Sequence, residues 1–211
     1  MSLGTTVRAA LGPLAGPLAE KYRDMYIRLD DLAESLASMA PSARRVAEIG
    51  CGYGDAANEL MRRLPDAEYV GVDVEHPSPG SLYTAGAPAT FTKQTSTELL
   101  AQHGSTFDLV LVVDVIHHVP SELRAQLLRD AADLVAPGGI LAVKDWERGR
   151  DFWSAACWFS DYYLSGDKGV QFEELADLRR ITSPVGEWTL VSESRVPPRR
   201  QNVLFTWRRA S

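Results

Sequence analysis

The sequence has no stretch approaching the roughly 20 apolar residues of a membrane-crossing helix, so no membrane span is expected. It has only two cysteines, Cys51 and Cys157, far apart and with no second Cys or His at metal-ligand spacing. That argues against a disulfide scaffold or a zinc site and fits free thiols in a reducing cytoplasm; no metal is expected. It has no block of like charge, and its formal net charge is -6, which disfavours nucleic acid as a partner. The early apolar run 9–19 follows Arg8, but Gly12, Pro13, Gly16 and Pro17 break it and a charged stretch follows, so it reads against a signal peptide. The sequence also lacks internal repeats, low-complexity tracts and any linker long enough to divide it.

What remains is an ordinary globular composition over 211 residues, 45% hydrophobic and 24% charged, enough for one large domain. Leu18, Tyr22, Tyr26, Leu29, Leu32 and Leu36 recur at helical steps, so a helix is expected over 18–39, ended by Pro41. Short apolar runs then alternate with helical segments. Strands are expected at 46–49, 68–74, 89–92, 107–113 and 140–144, with helices at 55–64 and 121–135. Ser121 is the expected N-cap of the latter, and Pro137, Gly138 and Gly139 its terminator. Alternation of this kind implies a parallel sheet. The last two strands, 188–196 and 202–208, are joined by the short turn 197–200, so the final strand should run antiparallel.

The strongest motif is Glu48-Ile49-Gly50-Cys51-Gly52-Tyr53-Gly54-Asp55, a strand running through three glycines into a helix. Glycine serves where the chain turns at positive φ and where backbone must touch a ligand. Dinucleotide sites space their glycines as G-x-G-x-x-G. Here the spacing is G-x-G-x-G, with an acid two residues ahead. In this the chain resembles the class I S-adenosylmethionine-dependent methyltransferases, and Glu48, Gly50, Gly52 and Gly54 match their first motif. Asp73, after the next apolar run and 23 residues beyond Gly50 (73 minus 50), is suited to accept both ribose hydroxyls of a nucleoside. The residues 134–141 match the family's L-x-P-G-G-x-L turn, a marker of fold.

The resemblance implies a Rossmann-like α/β three-layer sandwich: a mostly parallel seven-stranded sheet with an antiparallel last strand. It implies S-adenosyl-L-methionine as cofactor, held by Glu48, Gly50, Cys51, Gly52, Gly54 and Asp73. Val74 would flank the adenine, Thr95 or Ser96 would stand where many members bind the adenine amine with an acid, and Asp114 would face the methionine end. The organisation expected is one domain: a helical cap (1–43), a cofactor core (44–145), a substrate lid (146–170), and a C-terminal helix and hairpin (171–211). The run Asp114-Val115-Ile116-His117 lacks the Pro-Pro-aromatic signature of base-methylating enzymes. The expected acceptor is therefore a small or lipid-like molecule, methylated at oxygen. If it arrives protonated, His117, His118 and Asp145 are the candidate bases, with Glu147 also well placed. Aromatics crowd residues 146–163, and with the 117–118 loop, Tyr22 and Tyr26 they are expected to wall the acceptor pocket. A nucleotide-binding oxidoreductase and a non-catalytic protein keeping the fold are the alternatives.

Overall fold

The computed structural model describes residues 26–149, 154–155, 159 and 169–211. In chain order these form α1 (Leu29–Met39), β1 (Arg45–Ile49), α2 (Asp55–Met61), β2 (Glu68–Val72), β3 (Ala89–Thr92), α3 (Ser96–His103) and β4 (Phe107–Val113). A 3-10 turn (Ile116–His118), α4 (Ser121–Leu134), β5 (Val135–Trp146), α5 (Leu175–Thr182), β6 (Trp188–Arg195) and β7 (Asn202–Arg209) follow. The seven strands form one sheet in the order β3-β2-β1-β4-β5-β7-β6. β1 to β5 pair in parallel, while β7 inserts antiparallel between β5 and β6. The order reverses between β1 and β4, and the crevice at such a switch point, beyond the strands' carboxyl ends, is where ligands sit in open α/β sheets.

β1 and β4 are apolar on both faces because helices cover both sides. Val46, Leu109 and Leu111 join α1 and α2 in one buried cluster. Ala47, Ile49, Val110 and Val112 join α3 and α4 in the other. The entry into β1 is pinned by Asp108, whose carboxylate accepts the amides of Arg44 and Arg45 at 2.7 and 2.9 Å. Between β2 and β3 no described helix intervenes. Residues 73–88 cross as turns, and Tyr83, Ala85 and Ala87 pack onto the first cluster.

Several sequence expectations are corrected. The first described helix begins at Leu29. Ile27 instead makes a bridge to Pro198, and the Arg28 amide bonds the Pro197 carbonyl, so the chain is extended there. Residues 18–25 and Tyr22 lie outside the described residues. β2 ends at Val72, which leaves Asp73 and Val74 on the loop. α4 has Pro120 at its N-cap; Ser121 is already helical and its hydroxyl reaches Glu122. α3 was not expected. It is set by a capping box in which the Thr95 hydroxyl accepts the Glu98 amide and the Glu98 carboxylate accepts the Thr95 amide.

Candidate active site

β1 delivers the glycine loop to the switch point. The amides of Gly50 and Cys51 both donate to the Val72 carbonyl, at 2.7 and 3.1 Å, drawing the loop across the end of β2. Gly50 and Gly52 both have positive φ, but for different reasons. A Cβ on Gly50 would lie 2.3 Å from Val115 Cγ2, so this glycine lets the loops after β1 and β4 touch. A Cβ on Gly52 would meet nothing within 4 Å, so its backbone borders open space that a ligand can fill. Asp73 ties that loop in place. Its Oδ2 accepts the Gly52 amide at 3.0 Å, and its Oδ1 accepts the amides of Glu75 and His76 at 2.9 and 2.8 Å. Val74 beside it is 46% exposed, an apolar surface next to the loop.

An acid lies beneath the loop. Glu48 is buried and accepts the hydroxyl of buried Tyr69. Burial pushes its carboxyl up to about 7; the Tyr69 bond opposes this, while Asp55 and Asp73 add to it. Burial likewise pushes the Cys51 thiol up, helped by Glu48 and Asp73, so this cysteine is no thiolate nucleophile. The negative potential of Asp55 and Asp73 suits a cofactor carrying a sulfonium and an ammonium. It opposes a dinucleotide pyrophosphate at the same loop, which weighs against the oxidoreductase alternative.

The hydroxyls expected at the adenine amine also bond within the protein. Thr95 caps α3 and also donates to Glu98, and Ser96 donates to Asp130 at 2.8 Å.

The second half of the site forms where β4 and β5 end. Asp114 has a φ of 55°, the one non-glycine residue at positive φ among those described. Its carboxylate accepts the ammonium of Lys144, which is 1% exposed. The next residue on β5 points to the opposite face. There the buried Asp145 carboxylate accepts four bonds: from His117 Nδ1 at 2.6 Å, the Ile116 and His117 amides at 2.8 and 3.3 Å, and the Trp146 amide at 2.6 Å. Burial alone would raise this carboxyl, but the His117 charge and hydrogen bond, Lys144 and the Trp146 amide hold it below its ordinary value. With Nδ1 donating to a carboxylate, the lone pair of neutral His117 is on Nε2. His118 is exposed, its ring centroid 4.1 Å from that of His117. Asp114, His117 and Asp145 each bring one donor atom within 4.8 Å of the others and could collect a cation; here Asp114 pairs with Lys144, and His117 with Asp145.

The loop bearing His117 is held from a third side. The Gln171 amide donates to the His117 carbonyl at 2.9 Å, and the Phe172 ring lies 5.0 Å from the imidazole. Arg124, 5% exposed, bonds the Val119 and Gln171 carbonyls and pairs with Glu173. Lys144, Arg124 and Tyr69 are the site residues that sequence reasoning missed. Of the expected acceptor wall, Trp146 is buried with its ring 6.0 Å from that of Tyr26, and Phe159 is 55% exposed. Phe152, Trp153, Trp158, Tyr162 and Tyr163 lie outside the described residues.

A G-x-G-x-G loop opened by an acid, a carboxylate after β2 and a sheet with its last strand inserted antiparallel define a class I S-adenosylmethionine-dependent methyltransferase, the family to which the chain belongs. A methyltransferase-domain family model matches residues 47–141. The chain is 28% identical over 204 residues to a ubiquinone biosynthesis O-methyltransferase of Azorhizobium caulinodans, covering 82% of this chain and 76% of that protein. It is 32% identical over 171 residues to the protein of the same name from Rhizobium rhizogenes, covering 76% and 66%.

Among solved structures, an O-methyltransferase family protein from Burkholderia thailandensis superposes with a TM-score of 0.68 at 17% identity, over 99% of this chain and 60% of that one. A 1,6-didemethyltoxoflavin-N1-methyltransferase from the same organism, solved with S-adenosylhomocysteine, gives 0.66 at 17%, over 100% and 92%. These structural matches speak to the fold. The chain thus spans only about three fifths of the Burkholderia O-methyltransferase's length.

Proposed function

We propose that this chain transfers the methyl group of S-adenosyl-L-methionine to a hydroxyl oxygen of a small or lipid-like acceptor, with His117 as the general base. The observation that carries the reading is the buried Asp145–His117 pair at the ends of β4 and β5. It stands two residues from Val115, which touches the glycine loop. The cofactor fits this chain: Gly52 leaves open space at the loop, Asp73 stands beside it, and Val74 offers apolar surface. When bound, the sulfonium supplies an electrophilic methyl carbon.

The chain's own residues supply the rest. Gly50, Gly52 and Gly54 shape the cradle. Asp73 takes a ribose hydroxyl, and Glu48 with Tyr69 supports the loop from beneath. Asp145 fixes the His117 tautomer so that Nε2 can take the acceptor's hydroxyl proton, and its charge stabilises the imidazolium that results. The Lys144 ammonium holds Asp114 at the methionine end. Buried Trp146, with its ring beside that of Tyr26, helps to keep water from the reacting atoms.

The same reading treats the chain as one domain and places it in the cytoplasm, where the free thiol of Cys51 is at home. Similarity to ubiquinone biosynthesis O-methyltransferases supports oxygen as the site of transfer.

The test has two parts. Calorimetry should show S-adenosylhomocysteine binding. Incubation with S-adenosylmethionine and a panel of phenols and catechols should then yield methyl ethers by mass spectrometry, and His117→Ala should abolish them. Tighter binding of NAD than of S-adenosylhomocysteine would refute the assignment.

A further inference from the structure

His76 closes the turn that begins at Asp73, and nothing above gives it a task. Its amide donates to Asp73 Oδ1 at 2.8 Å, so its backbone is fixed one hydrogen bond from the expected ribose acid. Its ring Nδ1 accepts the Ser78 amide at 3.2 Å. A nitrogen that accepts carries no hydrogen, so in the neutral ring the proton sits on Nε2. That Nε2 is buried and has no hydrogen-bond partner among the described residues. Buried donors are nearly always paired, so an orphan of this kind calls for a partner. The ring also meets the edge of Tyr53 with centroids 4.0 Å apart, and Tyr53 lies between Gly52 and Gly54 in the cofactor loop. His76 therefore stands between the acid and the glycine cradle.

The bonding of Asp73 gives this position its meaning. A carboxylate has about four acceptor sites. The amides of Gly52, Glu75 and His76 occupy three of them. Asp73 can thus take one ribose hydroxyl, not the two that the sequence led one to expect, without releasing a backbone bond. The nucleoside still offers ribose oxygens and purine nitrogens that accept, and a carboxylate cannot serve them. We propose that His76 is a second binding residue for the adenosine half of the cofactor, donating its Nε2–H to a ribose or purine acceptor atom beside Asp73. The proposal rests on the methyltransferase reading above.

Two ligands and three variants test it. S-adenosylhomocysteine carries both halves of the cofactor, whereas 5′-methylthioadenosine keeps the adenosine half and lacks the amino-acid half. His76→Asn keeps an acceptor near Nδ1 and removes the donor at Nε2, while His76→Gln returns an N–H near the Nε2 position. By calorimetry, His76→Asn should weaken both ligands by about tenfold. His76→Gln should stay within about threefold of wild type. If thermal unfolding without ligand shows that the Asn variant does not fold, His76→Phe replaces it with the same expectation. Wild-type affinity in the donor-less variant overturns the proposal, as does a loss confined to S-adenosylhomocysteine. Failure of the wild type to bind S-adenosylhomocysteine refutes the cofactor assignment instead.

Discussion

Replacing Asp145 by Asn tests the proposed base most sharply, because the change is nearly isosteric and the carboxylate's four bonds have separable consequences. The amide oxygen can take the place of Oδ2 and keep the Ile116 and His117 amides. The amide nitrogen then stands where Oδ1 was and faces two donors, His117 Nδ1 and the Trp146 amide. The imidazole can answer by moving its proton to Nε2, which removes the lone pair that the acceptor hydroxyl needs. The Trp146 amide has no such recourse.

Losing a charge-assisted bond and stranding a buried amide should together cost about 2–4 kcal/mol of unfolding free energy. A typical domain of 5–15 kcal/mol survives that. The rate should fall by roughly 10²–10⁴, the usual contribution of general-base catalysis. Affinity for S-adenosylhomocysteine should be unchanged, because Asp145 touches no part of the glycine loop. Urea unfolding, calorimetry and steady-state methylation of an accepted phenol measure the three effects. The stability difference also has a pH signature. Asp145 is held below its ordinary value in the folded state, so its contribution is complete above about pH 4 and is lost as pH falls through the folded value. The advantage of wild type over Asp145→Asn should therefore be full at pH 5–7 and shrink below about pH 4. A variant that loses stability but keeps its rate within about threefold would show that the dyad is structural and that the proton leaves by another route.

Other expectations follow from the same contacts. Gly52→Ala should cost only about 1–2 kcal/mol of stability, from a left-handed backbone carrying a Cβ, while S-adenosylhomocysteine binding is lost; normal binding would mean that the loop does not touch the ligand. Glu48→Gln removes a buried acid whose folded pKa is raised to about 7. Stability from such a group is present below its unfolded value near 4.5 and is lost as pH rises through about 7. The variant should therefore gain on wild type by up to about 3 kcal/mol between pH 4 and 8, measured by urea unfolding; a constant difference would refute it. Arg124→Met should lose about 2 kcal/mol, and adding Glu173→Gln should cost less than the sum of the two single changes; strict additivity would mean that the pair does not interact.

The parts of this molecule legible in the sequence were those that local chemistry dictates. The glycine spacing and the acid before it announced the loop, and alternating apolar runs announced five parallel strands and the terminal hairpin. α3 was missed because its apolar face is slight, although Thr95 and Glu98 carried a capping box in plain view. Thr95 and Ser96, read from the sequence as cofactor contacts, also start this helix and bond Asp130. The pairing of His117 with Asp145 could be guessed only as two candidates near strand ends, because their meeting depends on the register of β4 against β5. Lys144 was hidden for another reason. In sequence a lysine at a strand end reads as solvated, and only the left-handed turn at Asp114 supplies the carboxylate that lets it be buried.

Residues 147–149 and 169–173 meet beside the end of β5. Glu147 and Glu173 bridge in parallel, the Arg148 amide bonds the Glu173 carbonyl, the Glu147 amide bonds the Gln201 carbonyl, and Gln171 bonds the His117 loop. The two ends are thus fastened side by side to the sheet and to the base loop, whatever runs between them. Such a junction behaves as a socket. Strand register and the Asp145–His117 pair have fastenings of their own on either side of residues 150–168. Under the lid proposal, acceptor choice can diversify there while the machinery of transfer stays fixed.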